Sequence, residues 1–75
     1  MDLFLNSIDN SWKNIQSNHQ KLQAIVNVIG EYGNDDGSHH KQWLLNVILY
    51  ISLGEDEFIE YVESQDYEYD FGTPP

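Results

Sequence analysis

Three histidines, three lysines, thirteen carboxylates and two tryptophans are the side chains in this chain with the chemistry to act on a ligand, and no cysteine accompanies them. They are densest in Gly37-Ser38-His39-His40-Lys41-Gln42-Trp43. Adjacent helical residues point about 100° apart, so His39 and His40 cannot offer the shared face that histidines four apart give a metal. A metal would have to recruit Asp35, Asp36 or His19, and no standard ligand spacing is present, so none is expected. An anion suits the local physics better. The first turn of a helix carries unpaired N–H groups and positive partial charge, to which this run adds a glycine, a hydroxyl, two imidazoles and Lys41. Ser38, His39, His40, Lys41 and Trp43 are therefore the candidate ligand-binding residues, for a phosphorylated small molecule with Trp43 stacking on its ring. The same string also reads as a serine cap followed by surface polar residues, the commoner arrangement, and Trp43 and Trp12 as packing residues.

Catalysis is not expected. General acid–base work needs carboxylates whose environments drive their pKa values apart. Here eight of the thirteen acids fall in residues 55–75, which hold no lysine or arginine, and a solvated face is the default reading. Neither a Gly-x-Ser-x-Gly elbow nor a glycine-rich nucleotide loop occurs, and no cofactor is implied.

The net charge of −10 disfavours direct nucleic-acid binding, because phosphate contacts need a basic surface, and none is expected. It favours a basic protein partner. Within the acidic end, Tyr67, Tyr69 and Phe71 alternate with Asp66, Glu68 and Asp70, a period of two that puts rings and carboxylates on opposite sides of an extended segment. Together with Glu60, these six are the candidate partner-binding residues; covering the chain's own helices is the equal alternative.

The elements that must position these groups are helical. Asn10 or Ser11 can cap a helix beginning near Trp12, with Trp12, Ile15, Leu22, Ile25, Val26 and Ile29 on one inward stripe, His19 among them as a core histidine, and an end at Gly30 or Gly33. A short helical turn over Asp2–Ile8 precedes it. A second helix runs from about His39 to Leu53, capped by Asp35, Asp36 or Ser38 and stopped by Gly54. It is apolar almost all round, and so is central to its domain or buried in an oligomer. Glu55–Ser64 forms a third helix, with Phe58, Ile59 and Val62 inward and acids at its positive end. The expected fold is all-α: one small domain over 1–75, with a helical core over 1–64 and an extended aromatic-acidic tail over 65–75.

A chain of this length buries roughly two thirds of its unfolded surface and gains from further support. With disulfides excluded, self-association is expected, through the second helix. The longest apolar run, Trp43–Leu53, is short of the ~20 residues of a membrane span, and no leader pattern opens the sequence; a soluble, cytoplasmic protein is the expectation.

The run His39-His40-Lys41-Gln42-Trp43, with Gly54 and then Tyr67, Glu68, Asp70, Gly72 and Pro75, resembles a family of small tailed-bacteriophage proteins to which no reaction is attached. The likeness covers about half the chain and leaves residues 1–30 outside it. Members carry an aspartate where this chain has Asn46, an arginine where it has Tyr50 and a tryptophan where it has Tyr69. A role requiring that acid–base pair is thus not carried over. The resemblance implies a phage origin, a helical core and an ordered tail. The function expected from all this is an acidic accessory protein that binds and inhibits a host factor, in an anti-defence or host-takeover role. The alternatives are an oligomeric sponge for a nucleotide-like signal and an acidic mimic of DNA.

Overall fold

The computed structural model describes residues 2–34, 37–64 and 72–75. Among them run helix α1 (Asp2–Asn6), a 3-10 turn (Asn10–Trp12), α2 (Asn18–Tyr32), α3 (Ser38–Leu53) and α4 (Glu55–Ser64), with no strand. The all-α class follows directly.

The first long helix begins six residues later than its sequence pattern suggests. Asp9 accepts a hydrogen bond from the Ser11 N–H at 2.8 Å and so caps the 3-10 turn. Asn14 then takes φ +62°, a left-handed conformation through which no helix continues and which asparagine tolerates better than most residues. Ser17 is the true cap of α2, its Oγ accepting from the Gln20 N–H at 3.1 Å. The break uncouples Trp12 and Ile15 from the helix and rotates the inner face. Val28 is buried, with Ala24, Ile25 and Tyr32 half-buried, while Leu22, Val26 and Ile29 stand 64%, 66% and 48% exposed. Of the expected inward stripe Trp12, Ile15 and Ile25 pack against the core, whereas Leu22, Val26 and Ile29 face out, and His19 is exposed rather than a core histidine.

α3 is the spine. Its Trp43, Asn46, Val47, Tyr50 and Ile51 are buried, and both α2 and α4 pack against it. Much of its apolar circumference is covered by its own chain, and Leu45 is left 60% exposed. Ser38 is its first helical residue and not its cap: Gly37 occupies the cap with no side-chain bond, and the Gly37 carbonyl accepts the Lys41 N–H at 3.0 Å.

Trp43 and Tyr50, seven residues apart and so on one side of α3, each anchor a cluster of rings. Trp43 meets Tyr32 edge-on at 5.4 Å and Trp12 at 6.0 Å. Tyr50 meets Phe58 of α4 at 5.6 Å and Phe4 of α1 at 6.5 Å, while Phe4 stacks on Phe58 at 5.4 Å. Edge-on and offset pairs at these separations contribute about 0.5–1.5 kcal/mol each beyond burial. Ser7 ties the clusters together, because its Oγ accepts the Trp43 Nε1–H at 2.8 Å and donates to the Phe4 carbonyl at 2.6 Å.

Gly54 both ends α3 and opens α4. Its N–H donates to the Tyr50 carbonyl at 2.8 Å and its carbonyl accepts the Phe58 N–H at 2.9 Å, at φ +85° and ψ 162°, a region essentially reserved for glycine. α4 then turns Phe58 and Val62 inward and holds Ile59 half-buried, the face its sequence spacing gives.

Candidate binding surfaces

The Gly37–Trp43 run lies where expected, at the N-terminal end of α3, and of its described side chains Trp43 and His40 are engaged within the chain. Trp43 is 2% exposed, and its indole N–H is committed to Ser7. His40 Nδ1 lies 2.8 Å from the carbonyl oxygen of Thr73. A carbonyl can only accept, so this nitrogen carries the proton and donates. The last residues of the chain therefore return to the start of α3, and His40 holds them there. Lys41 points to solvent. The side chains of Ser38 and His39 lie outside the described residues.

Of the candidate partner-binding residues, Glu60 is described and exposed on α4; Asp66, Tyr67, Glu68, Tyr69, Asp70 and Phe71 lie outside the described residues. Around Glu60 the outward surface of α4 carries Asp56, Glu57 and Glu63, all exposed, beside Tyr61 at 36% exposure. The first-turn acids Glu55, Asp56 and Glu57 complement the positive helix end, so this helix tolerates their mutual repulsion.

Two hollows flank the segment Trp12–Ile15. The larger, about 500 Å³, lies between this segment and the Gln20, Gln23, Asn27 and Glu31 side of α2. The smaller, about 230 Å³, reaches Tyr50, Gly54, Glu55 and Asp56. The Asp9 carboxyl in the larger is held below its ordinary value by the Ser11 backbone and hydroxyl hydrogen bonds, consistent with its capping role. Tyr50 is pushed above its ordinary value of 10.0 by burial and secondarily by the Glu55 carboxylate.

The surface that sequence reasoning missed is apolar. Leu22, Val26 and Ile29, at positions i, i+4 and i+7, form one exposed line on α2. On α3, Lys41, Leu45 and Ser52 form another, with Leu45 60% exposed. Lys21 Nζ donates to the Ser52 carbonyl at 3.3 Å, tying the start of α2 to the end of α3. The available signal was an excess: α2 has apolar residues on two adjacent faces, Ala24, Ile25, Val28 and Tyr32 on one and Leu22, Val26 and Ile29 on the other, and a short helix packed on one neighbour buries only one.

Among the described residues no group of three histidine, aspartate or glutamate side chains is placed to hold a metal ion, and no helix is long and apolar enough to cross a membrane. No family model matches the chain, and no match to it is found among curated proteins or solved structures.

Proposed function

We propose that this chain is a small, non-catalytic, acidic binding protein whose partner is a basic protein of a bacterial host, and that it serves a tailed phage by inhibiting or sequestering that partner in the host cytoplasm. The observation that carries the reading is the outward surface of α4, where Asp56, Glu57, Glu60 and Glu63 are exposed around Tyr61 with no cation in the helix. A surface of one sign steers an oppositely charged partner, and a tyrosine among the carboxylates adds an amphipathic anchor once contact is made. Residues 55–75 hold eight of the chain's thirteen acids and no lysine or arginine, so most of the net charge of −10 lies on this side of the sequence. The phage assignment rests on the resemblance of the Gly37–Trp43 run and the Tyr67–Pro75 end.

The sponge reading draws less support, because Trp43 packs in the core and His40 binds the chain's own Thr73. The test is capture from host lysate by the immobilised protein and by a Glu57→Gln/Glu60→Gln/Glu63→Gln variant. These exposed substitutions change charge while leaving size almost unaltered. The expected result is a basic protein retained by the native chain at ~0.1 M salt, released as ionic strength rises, and not retained by the variant. Equal capture by both, or capture insensitive to salt, would remove the acidic face from the account.

A further inference from the structure

The larger hollow has no role in that reading, and its lining has a chemistry of its own. The left-handed Asn14, at φ +62°, sets the segment Trp12–Ile15 apart from α2, and about 500 Å³ of space lies between them. That volume falls within the range of small-molecule sites. Four carboxamides line it. Gln20, Gln23 and Asn27 follow one another at i, i+3 and i+7 on one side of α2, Asn14 stands on the opposing segment, and all four are exposed. Among the described residues no side-chain hydrogen bond occupies them, and each offers two donors and an acceptor. Trp12 belongs to the same lining. It is half-buried and held edge-on to Tyr32 at 6.4 Å and against Trp43 at 6.0 Å, so its ring is fixed before any ligand arrives.

The charges of the lining narrow the class of ligand. Its described residues hold one cation, Lys13, against two carboxylates, Asp9 and Glu31. An anion would meet that single lysine within a chain of net charge −10, and a cation would meet an Asp9 carboxyl already bonded to the Ser11 N–H. An apolar ligand would leave four carboxamides without partners. A neutral ligand rich in hydroxyls meets none of these costs, because a hydroxyl both donates and accepts, as a carboxamide does. A saturated ring bearing those hydroxyls also carries C–H bonds that pack on an indole. Sugars combine the two features.

We propose that the hollow between Trp12–Ile15 and α2 binds a neutral sugar, with Asn14, Gln20, Gln23 and Asn27 hydrogen-bonded to its hydroxyls and Trp12 packed against its ring. The strained Asn14 then has a use, since backbone held in an unfavourable region is concentrated at ligand clamps and active sites. This binding goes beyond the acidic-face reading and uses none of the α4 residues.

Proton–nitrogen correlation spectra of the full chain, titrated separately with glucose, galactose, mannose and N-acetylglucosamine to about 50 mM, test it. At least one of these sugars is expected to shift the side-chain amide signals of Gln23 and Asn27 and the indole signal of Trp12 together, with a Kd of roughly 0.1–10 mM. Gln23→Ala/Asn27→Ala, which keeps good helix formers in α2, is expected to bind at least about fivefold more weakly. Asn14→Gly retains the left-handed backbone while removing the carboxamide, and is expected to bind about two- to fivefold more weakly. The same spectra establish that each variant is folded. The methyl glycoside of the best sugar separates two sources: equal binding assigns the site to the end of a glycan, lost binding to the free sugar, and both support a sugar site. No shift with any of the four sugars, binding unaffected by the double alanine variant, or stronger shifts of the same signals by adenosine or inorganic phosphate overturns the proposal. Partner capture by the Gln variants of α4 reads a different surface, so the proposed function and the sugar site stand or fall separately.

Discussion

Ser7→Ala is a one-atom change that tests how the core holds α1 against the α2–α3 hairpin. The Ser7 hydroxyl accepts the Trp43 Nε1–H at 2.8 Å, and Trp43 is 2% exposed, so loss of the hydroxyl leaves the indole N–H without its partner in the protein. Leaving a buried donor unpaired costs about 1–3 kcal/mol. The whole stability of a 75-residue domain is about 4–11 kcal/mol, so this is a sizeable fraction of it. At about 4–8 °C per kcal/mol for a domain this size, the melting temperature is expected to fall by about 5–20 °C. Thermal unfolding followed by far-UV circular dichroism measures the shift. Near-UV circular dichroism reports on Trp43, packed against Tyr32 at 5.4 Å and Trp12 at 6.0 Å. A double-mutant cycle with Trp43→Phe isolates the bond, because the phenyl ring has no N–H to orphan and Ser7→Ala should then cost far less. A melting temperature within about 1 °C of native for Ser7→Ala would refute the reasoning, since it would mean that the indole N–H is satisfied elsewhere or that Trp43 is not held as described.

Other consequences concern helix ends and pH. Gly54→Ala forces a side chain into φ +85° at the α3–α4 junction and is expected to cost about 1–3 kcal/mol in denaturant unfolding, although the space around the new methyl is open. Ser17→Ala removes the cap of α2 and is expected to cost about 0.5–2 kcal/mol, whereas Ser11→Ala, whose hydroxyl caps no α-helix, should cost less. Tyr50 has a folded-state pKa above its unfolded value of 10.0, so its contribution is complete below about pH 10 and is lost as pH climbs toward the folded value. Tyr32 shifts in the same direction, by burial first and the Glu31 charge second. Equilibrium unfolding at pH 8 and pH 11 is therefore expected to show an alkaline loss that Tyr50→Phe reduces; an identical loss in the variant would assign it to other groups.

The parts of the fold legible in sequence are those where one signal acted alone. α4 could be read because its three inward residues and its acidic first turn agree, and α3 because an apolar run ends at a glycine that the geometry requires. The start of α2 was obscured by competition: Asn10 and Ser11 are good caps and Trp12 and Ile15 continue the helical spacing. Yet Asn14 at φ +62° breaks the helix and hands the cap to Ser17. The inner face of α2 also lies to one side of the expected stripe, with Ile25 common to both. A pattern of apolar residues gives the axis of a helix but not which of two apolar flanks meets its neighbour, and here Val28 won the core from Val26. At the candidate ligand site, sequence gave the place but not the pairing. Nothing local to His40 indicates that Thr73, thirty-three residues on, would take its Nδ1–H, or that Ser7 would take the Trp43 N–H.

The most direct test of the binding account is native mass spectrometry of the protein purified gently from a host cell that expresses it. The expected spectrum contains the chain bound to a basic host protein, and the complex disappears when Glu57, Glu60 and Glu63 are replaced together by glutamine. A chain that instead carries a phosphorylated small molecule, retained by the glutamine variant, would contradict the account and return attention to the start of α3.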